Sequence, residues 1–170
     1  SYRAQELPRP AYFEYAVPRD INNLNQIVGY ASYHEPAWAA RIGYGVYWAS
    51  PTSVASLTDR DGFANGLAWS GVQSINNNGV MVGEVRYSNE SNTRMGVWRN
   101  GTWVLGTMFQ DAQSSAQTIA TRGFGVNDRN EIVGQVEAND GSGWSFLFNR
   151  FGYFNDVRIP DSNRLGAVGQ

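Results

Sequence analysis

Residues 21–29 read INNLNQIVG, residues 75–83 read INNNGVMVG, and residues 126–134 read VNDRNEIVG. An altered fourth version, IPDSNRLGAVG, occupies 159–169. The first position is β-branched in every copy (Ile21, Ile75, Val126, Ile159), and the third is Asn23, Asn77, Asp128 or Asp161. The fifth is Asn25, Gly79, Asn130 or Asn163, and the seventh is apolar (Ile27, Met81, Ile132, Leu165). This is turn chemistry. An Asx side chain at the third position accepts a hydrogen bond from the backbone two residues on and opens a turn. Asn or Gly at the fifth tolerates the left-handed conformation that closes one. The phrase is therefore expected to be strand, tight turn, strand, a device for bending backbone rather than for handling a substrate.

Each phrase is followed, after a polar stretch, by an apolar strand ending in an aromatic residue: YGVYW at 44–48, MGVW at 95–98, WSFLF at 144–148. The intervening YSNESNT and EANDGSG read as loops. A further turn and a short strand follow in TSVASL, TWVLGTM and GYFNDVRI, the second introduced by RNGT at 99–102. Each unit thus supplies about four short strands in roughly 50 residues. No segment keeps a helical period, and DAQSSAQTIA at 111–120 lacks an apolar stripe. The expected fold is all-β, one domain over residues 1–170, with units at about 11–70, 71–121 and 122–158 and a partial unit at 159–170.

The run SINNNGVMVG, GVW, LGT at 105–107 and GVNDRNEIVG resembles the HAF-type extracellular repeat of bacteria. The first unit departs from that pattern with ASL at 55–57 in place of LGT, the third ends its strand in Phe148, and the fourth carries Pro160 where Asn is expected. The resemblance implies propeller-blade-like units and an exported or surface protein. It implies no particular activity.

Propeller blades run about 40 to 50 residues, and closed propellers use four to eight. Three to four units therefore imply a compact β-barrel or sandwich-like domain with three-fold character, part of a larger ring shared between chains, or closure by pairing of the fourth copy with AYFEYAV at 11–17, within the chain or across to the next one. Exposed strand edges need a partner or a cover, so a homo-oligomer or polymer is expected.

Charged residues are 16% of the 170, net charge is −2, and there is no cysteine. The 13 basic residues are scattered, which speaks against nucleic acid. No apolar run approaches the length of a membrane span. The chain begins at Ser1, as expected either of an exported protein that has lost a signal peptide or of a trimmed fragment. No cofactor is expected. His34 is the lone histidine and no nucleophile motif accompanies it, so a loop role is expected. Asp59 and Asp61 resemble the start of a calcium loop, but Ser70 stands where its bidentate Glu belongs. Glu14, Glu35, Glu84, Glu131 and Glu137 offer no distinguishable hydrolase pair. NES at 89 and NGT at 100 match glycosylation acceptors, and NGT is better explained as a turn. Trp48 and Trp98 hold equivalent positions and are expected in the core. Trp38, Trp69, Trp103 and Trp144 lie near loops or strand edges, where aromatics stack on sugars or anchor interfaces. The sequence points to a non-catalytic surface protein acting by self-assembly or adhesion, with a glycan-binding module as the rival and a glycoside hydrolase as a third reading.

Overall fold

The structure is a computed structural model that describes residues 3–11, 13–35, 40–57, 67–109, 116–149 and 157–159. Among the described residues there are twelve strands and no helix. Sheet I comprises β1 (Tyr15–Ile21), β2 (Ile27–Glu35), β3 (Ala40–Ser50) and β4 (Ser53–Ser56). Sheet II comprises β5 (Leu67–Ile75), β6 (Val80–Tyr87), β7 (Arg94–Arg99) and β8 (Thr102–Thr107). Sheet III comprises β9 (Thr118–Val126), β10 (Glu131–Ala138), β11 (Gly143–Asn149) and β12 (Val157–Ile159). Each is an antiparallel meander with its strands in sequence order, so each repeat folds as its own sheet. Sheets II and III begin a few residues ahead of their sequence-defined units and sheet I a few residues after the start of its own, and Ile159 ends the outer strand of sheet III, pairing with Ser145. Strands β1 and β12 lie in different sheets. Residues 160–170, with Asp161 and Asn163, lie outside the described residues.

The repeated phrase makes the β1–β2, β5–β6 and β9–β10 hairpins. The fifth-position residues close them in the left-handed region, with φ of 59° at Asn25, 70° at Gly79 and 62° at Asn130. Asn100 and Gly101, also at positive φ, turn β7 into β8 as RNGT implies. The ninth-position glycines have a separate cause. A Cβ at Gly29, Gly83 or Gly134 would overlap the carbonyl oxygen of Val17, Gly71 or Arg122 on the neighbouring strand. A register shift lies beside each of these contacts, and only glycine admits so close an approach.

Every sheet has a leading face, toward the preceding sheet, and a trailing face, toward the next. Val28, Tyr47 and Leu57 of sheet I meet Met81, Val85 and Trp98 of sheet II in one core. Val82, Met95 and Val97 of sheet II meet Ile132, Val136, Phe146 and Phe148 of sheet III in a second. Trp48 and Trp98 are fully buried, as expected, and Phe148 holds the same place at 3% exposure. The leading face of sheet I has no preceding sheet. There Ile27, Ala31, Val46 and Trp48 are covered by Leu7 and Phe13 of the N-terminal segment. The Trp48 Nε1–H donates to the carbonyl oxygen of Pro8 at 2.7 Å, and Phe13 stands edge-on to Tyr33 and Tyr44.

Candidate interaction surfaces

The turn asparagines correct one expectation. The hydrogen bond that opens each turn is accepted by the second residue of the phrase, not the third. Asn22 Oδ1 accepts from the Leu24 N–H, Asn76 Oδ1 from Asn78 and Asn127 Oδ1 from Arg129, at 3.0, 3.0 and 2.9 Å. The same oxygens also accept from Gln26, Val80 and Glu131. The opposite end of the first two amides works between sheets. Asn22 Nδ2 donates to the carbonyl oxygen of Asn76 at 2.9 Å, and Asn76 Nδ2 to that of Asn127 at 2.7 Å. The third-position side chains also bond across sheets: Asn77 Oδ1 accepts from the Asn23 N–H, and Asp128 accepts from both the backbone and side-chain N–H of Asn77. These bonds hold the Asp128 carboxyl below its ordinary range, the backbone donor foremost. A visible signal was present, since Asn fills the second position in all three full copies and Pro160 replaces it in the fourth.

Among the described residues the ladder stops at sheet III. Asn76 is 4% exposed, but Asn127 lies on the surface, and among the described residues its Nδ2 donates to its own Glu131. A second cross-link runs beside it. Asp20 Oδ2 accepts from the Ile75 N–H at 2.9 Å and Ser74 Oγ from the Val126 N–H at 3.4 Å, and the next equivalent, Gly125, has no side chain to offer. Among the described residues the apolar trailing face stops being covered at the same place. Val28 and Val82 are 0% exposed, but their counterpart Val133 is 47% exposed, with Phe124 at 48% nearby.

The crevices between sheets differ in a way the repeat makes measurable. Strand register makes Tyr30, Glu84 and Gln135 equivalent, opposite Val17, Gly71 and Arg122. It likewise makes Tyr15, Trp69 and Ala120 equivalent, opposite Ser32, Arg86 and Glu137. Between sheets II and III, Arg122 crosses to Glu84 at 3.1 Å and bonds Glu137 at 2.8 Å, filling the space beside the buried Ala120. Between sheets I and II, Gly71 and Trp69 stand at those two places, and a cleft of about 310 Å³ remains. Tyr30, Ser32, Trp69, Gln73 and Glu84 line it, together with Arg19, whose guanidinium carbon lies 5.3 Å from the centre of the Tyr30 ring. Burial pushes the Glu84 carboxyl above its ordinary range, against the downward pull of Arg122 and Gln73.

The four tryptophans singled out by position separate. Trp69 lines the cleft. Trp144 is turned toward the core between sheets II and III, its ring 6.5 Å from Phe109 and 6.4 Å from Phe146. Trp38 and the side chain of Trp103 lie outside the described residues, as do Asp59, Asp61 and the side chains of His34 and Glu35. No protein-family model, curated protein or solved structure matches the chain.

Proposed function

We propose that the protein is a non-catalytic, exported β-repeat module that works by self-association, a second copy seating on the trailing face of sheet III. The observation that carries this reading is Val133, 47% exposed where Val28 and Val82 are completely covered by the next sheet. Each trailing face inside the chain is an apolar surface already shaped to receive another sheet, so the partner's chemistry is that of the interfaces the chain makes with itself. The opposite end is capped by Leu7 and Phe13. One open face and one capped face favour a closed, two-fold pair, sheet III against sheet III, over an endless stack. Export and surface location are supported by the HAF-type resemblance.

Light scattering coupled to size-exclusion chromatography at micromolar concentration tests the reading. A dimer is expected, reduced to monomer by Val133→Asp. A monomeric wild-type protein, or a dimer indifferent to Val133→Asp, overturns it.

A further inference from the structure

We infer that the cleft between sheets I and II is a binding site for a neutral sugar residue, with the indole of Trp69 as its platform. The repeat itself supplies the comparison. The same crevice one unit later is bridged by Arg122 and its two carboxylates. Here the position of Arg122 is a glycine, and the position of a buried alanine is a tryptophan. A repeat that only had to pack would be served by the bridged solution. The open version leaves Trp69 lining the space instead.

The rim fixes the ligand class. Glu84 accepts hydrogen bonds only; Arg19 donates only; Gln73 and Ser32 do both. Arg19 and Glu84 line the space and Arg122 is shared between Glu84 and Glu137, so two cations balance two anions around it and neither a phosphate nor an ammonium gains net attraction. Groups that both donate and accept, set around a flat apolar ring, meet every requirement. A pyranose has them: its hydroxyls for the rim and its C–H face for the indole. The volume suits one or two such rings, at the lower end of small-molecule sites.

Filling the cleft is straightforward. Among the described residues a Cβ added at Gly71 meets only Trp69, at an ordinary 3.8 Å, and the backbone there requires no positive φ. Gly71→Arg therefore restores in this crevice the residue that bridges its neighbour.

The probe is a panel of neutral oligosaccharides of gluco, galacto and manno configuration, with sulfated and uronic-acid glycans as controls, followed by calorimetric titration of the best ligand. Binding to at least one neutral glycan is expected, weakened at least about tenfold by Gly71→Arg. Trp69→Ala is the second variant, required to show the same loss should the arginine disturb folding. Val133→Asp, which tests association alone, is expected to leave glycan binding intact, so the two readings fail separately. No binding to any neutral glycan, binding to acidic glycans only, or neutral-glycan binding unchanged in both cleft variants overturns the inference.

Discussion

Asn76 donates through Nδ2 to the carbonyl oxygen of Asn127, 51 residues away, at 2.7 Å. One side chain thus closes its own hairpin with Oδ1 and ties sheet II to sheet III with Nδ2. A conserved turn geometry alone needs only the oxygen; the amide is required because the turns stack.

Asn76→Ala removes acceptors for the Asn78 and Val80 N–H groups and donors to Asn127 and Asn130. The site is 4% exposed, so water repairs little of this. The expected loss is about 2–4 kcal/mol of unfolding free energy in urea titrations. Asn127→Ala, at the exposed end of the ladder, is expected to cost less than half as much.

Gly83 and Gly71 lie on neighbouring strands beside the β5–β6 bulge and give opposite outcomes. A methyl on Gly83 overlaps the Gly71 carbonyl oxygen, which is backbone and must shift as a strand. Gly83→Ala is expected to cost about 2 kcal/mol or more, the range of overpacking in a well-filled interior. Gly71→Ala meets an ordinary contact with Trp69 and gains from a less flexible unfolded chain, so it is expected to be neutral or slightly stabilising. Thermal unfolding of the two variants side by side makes the comparison.

Acid should weaken the stacking of sheets II and III at Asp128 and the β9–β10 turn at Glu131. The Asp128 carboxyl is held below its ordinary value by the backbone and then the side chain of Asn77, and Glu131 below its own by Asn127 and then Arg129. A carboxylate with a depressed folded pKa contributes stability above its unfolded value and loses it as pH falls through the folded one. The loss is therefore expected below about pH 4. Glu84 has the opposite sign, because burial raises its pKa and its unfavourable contribution is relieved as pH falls. The stability gap between wild type and Asp128→Asn, measured by urea titration, should shrink from neutral pH to acid. A gap that widens would contradict the assignment.

The hairpins were legible because turn geometry is local: a left-handed residue at the fifth position leaves its mark in the identities of Asn25, Gly79 and Asn130. The role of the second-position Asn was misassigned to the third, since both bond and only register separates an intra-turn acceptor from an inter-sheet one. The cleft was hidden for a stronger reason. Gly71, Glu84 and Arg122 come together through strand pairing and sheet stacking, neither of which leaves a short-range pattern. Bulges add to this by resetting the alternation of faces. The shift between Leu67 and Trp69 means that counting by twos along β5 does not tell which way Trp69 points.

Trp48 ties the N-terminal segment to sheet I through the bond to Pro8. Trp48→Phe keeps an aromatic ring in the same core but removes that donor, leaving the Pro8 carbonyl without it and a gap where the larger ring was. The segment should then open more often than the sheet beneath it. Hydrogen exchange is expected to quicken at Phe13, whose N–H bonds Pro10, and at Glu14, whose N–H bonds Ser32, while the Val28 and Val46 amides stay protected. Association should respond as well. With the cap in place, pairing through sheet III stops at two copies. With the cap loosened, the leading face of sheet I becomes a second receptor for the trailing face of sheet III, head to tail, and nothing limits growth. Light scattering of Trp48→Phe should therefore show species larger than the wild-type pair, increasing with concentration and abolished by adding Val133→Asp. Growth that survives Val133→Asp would mean the cap guards some other contact.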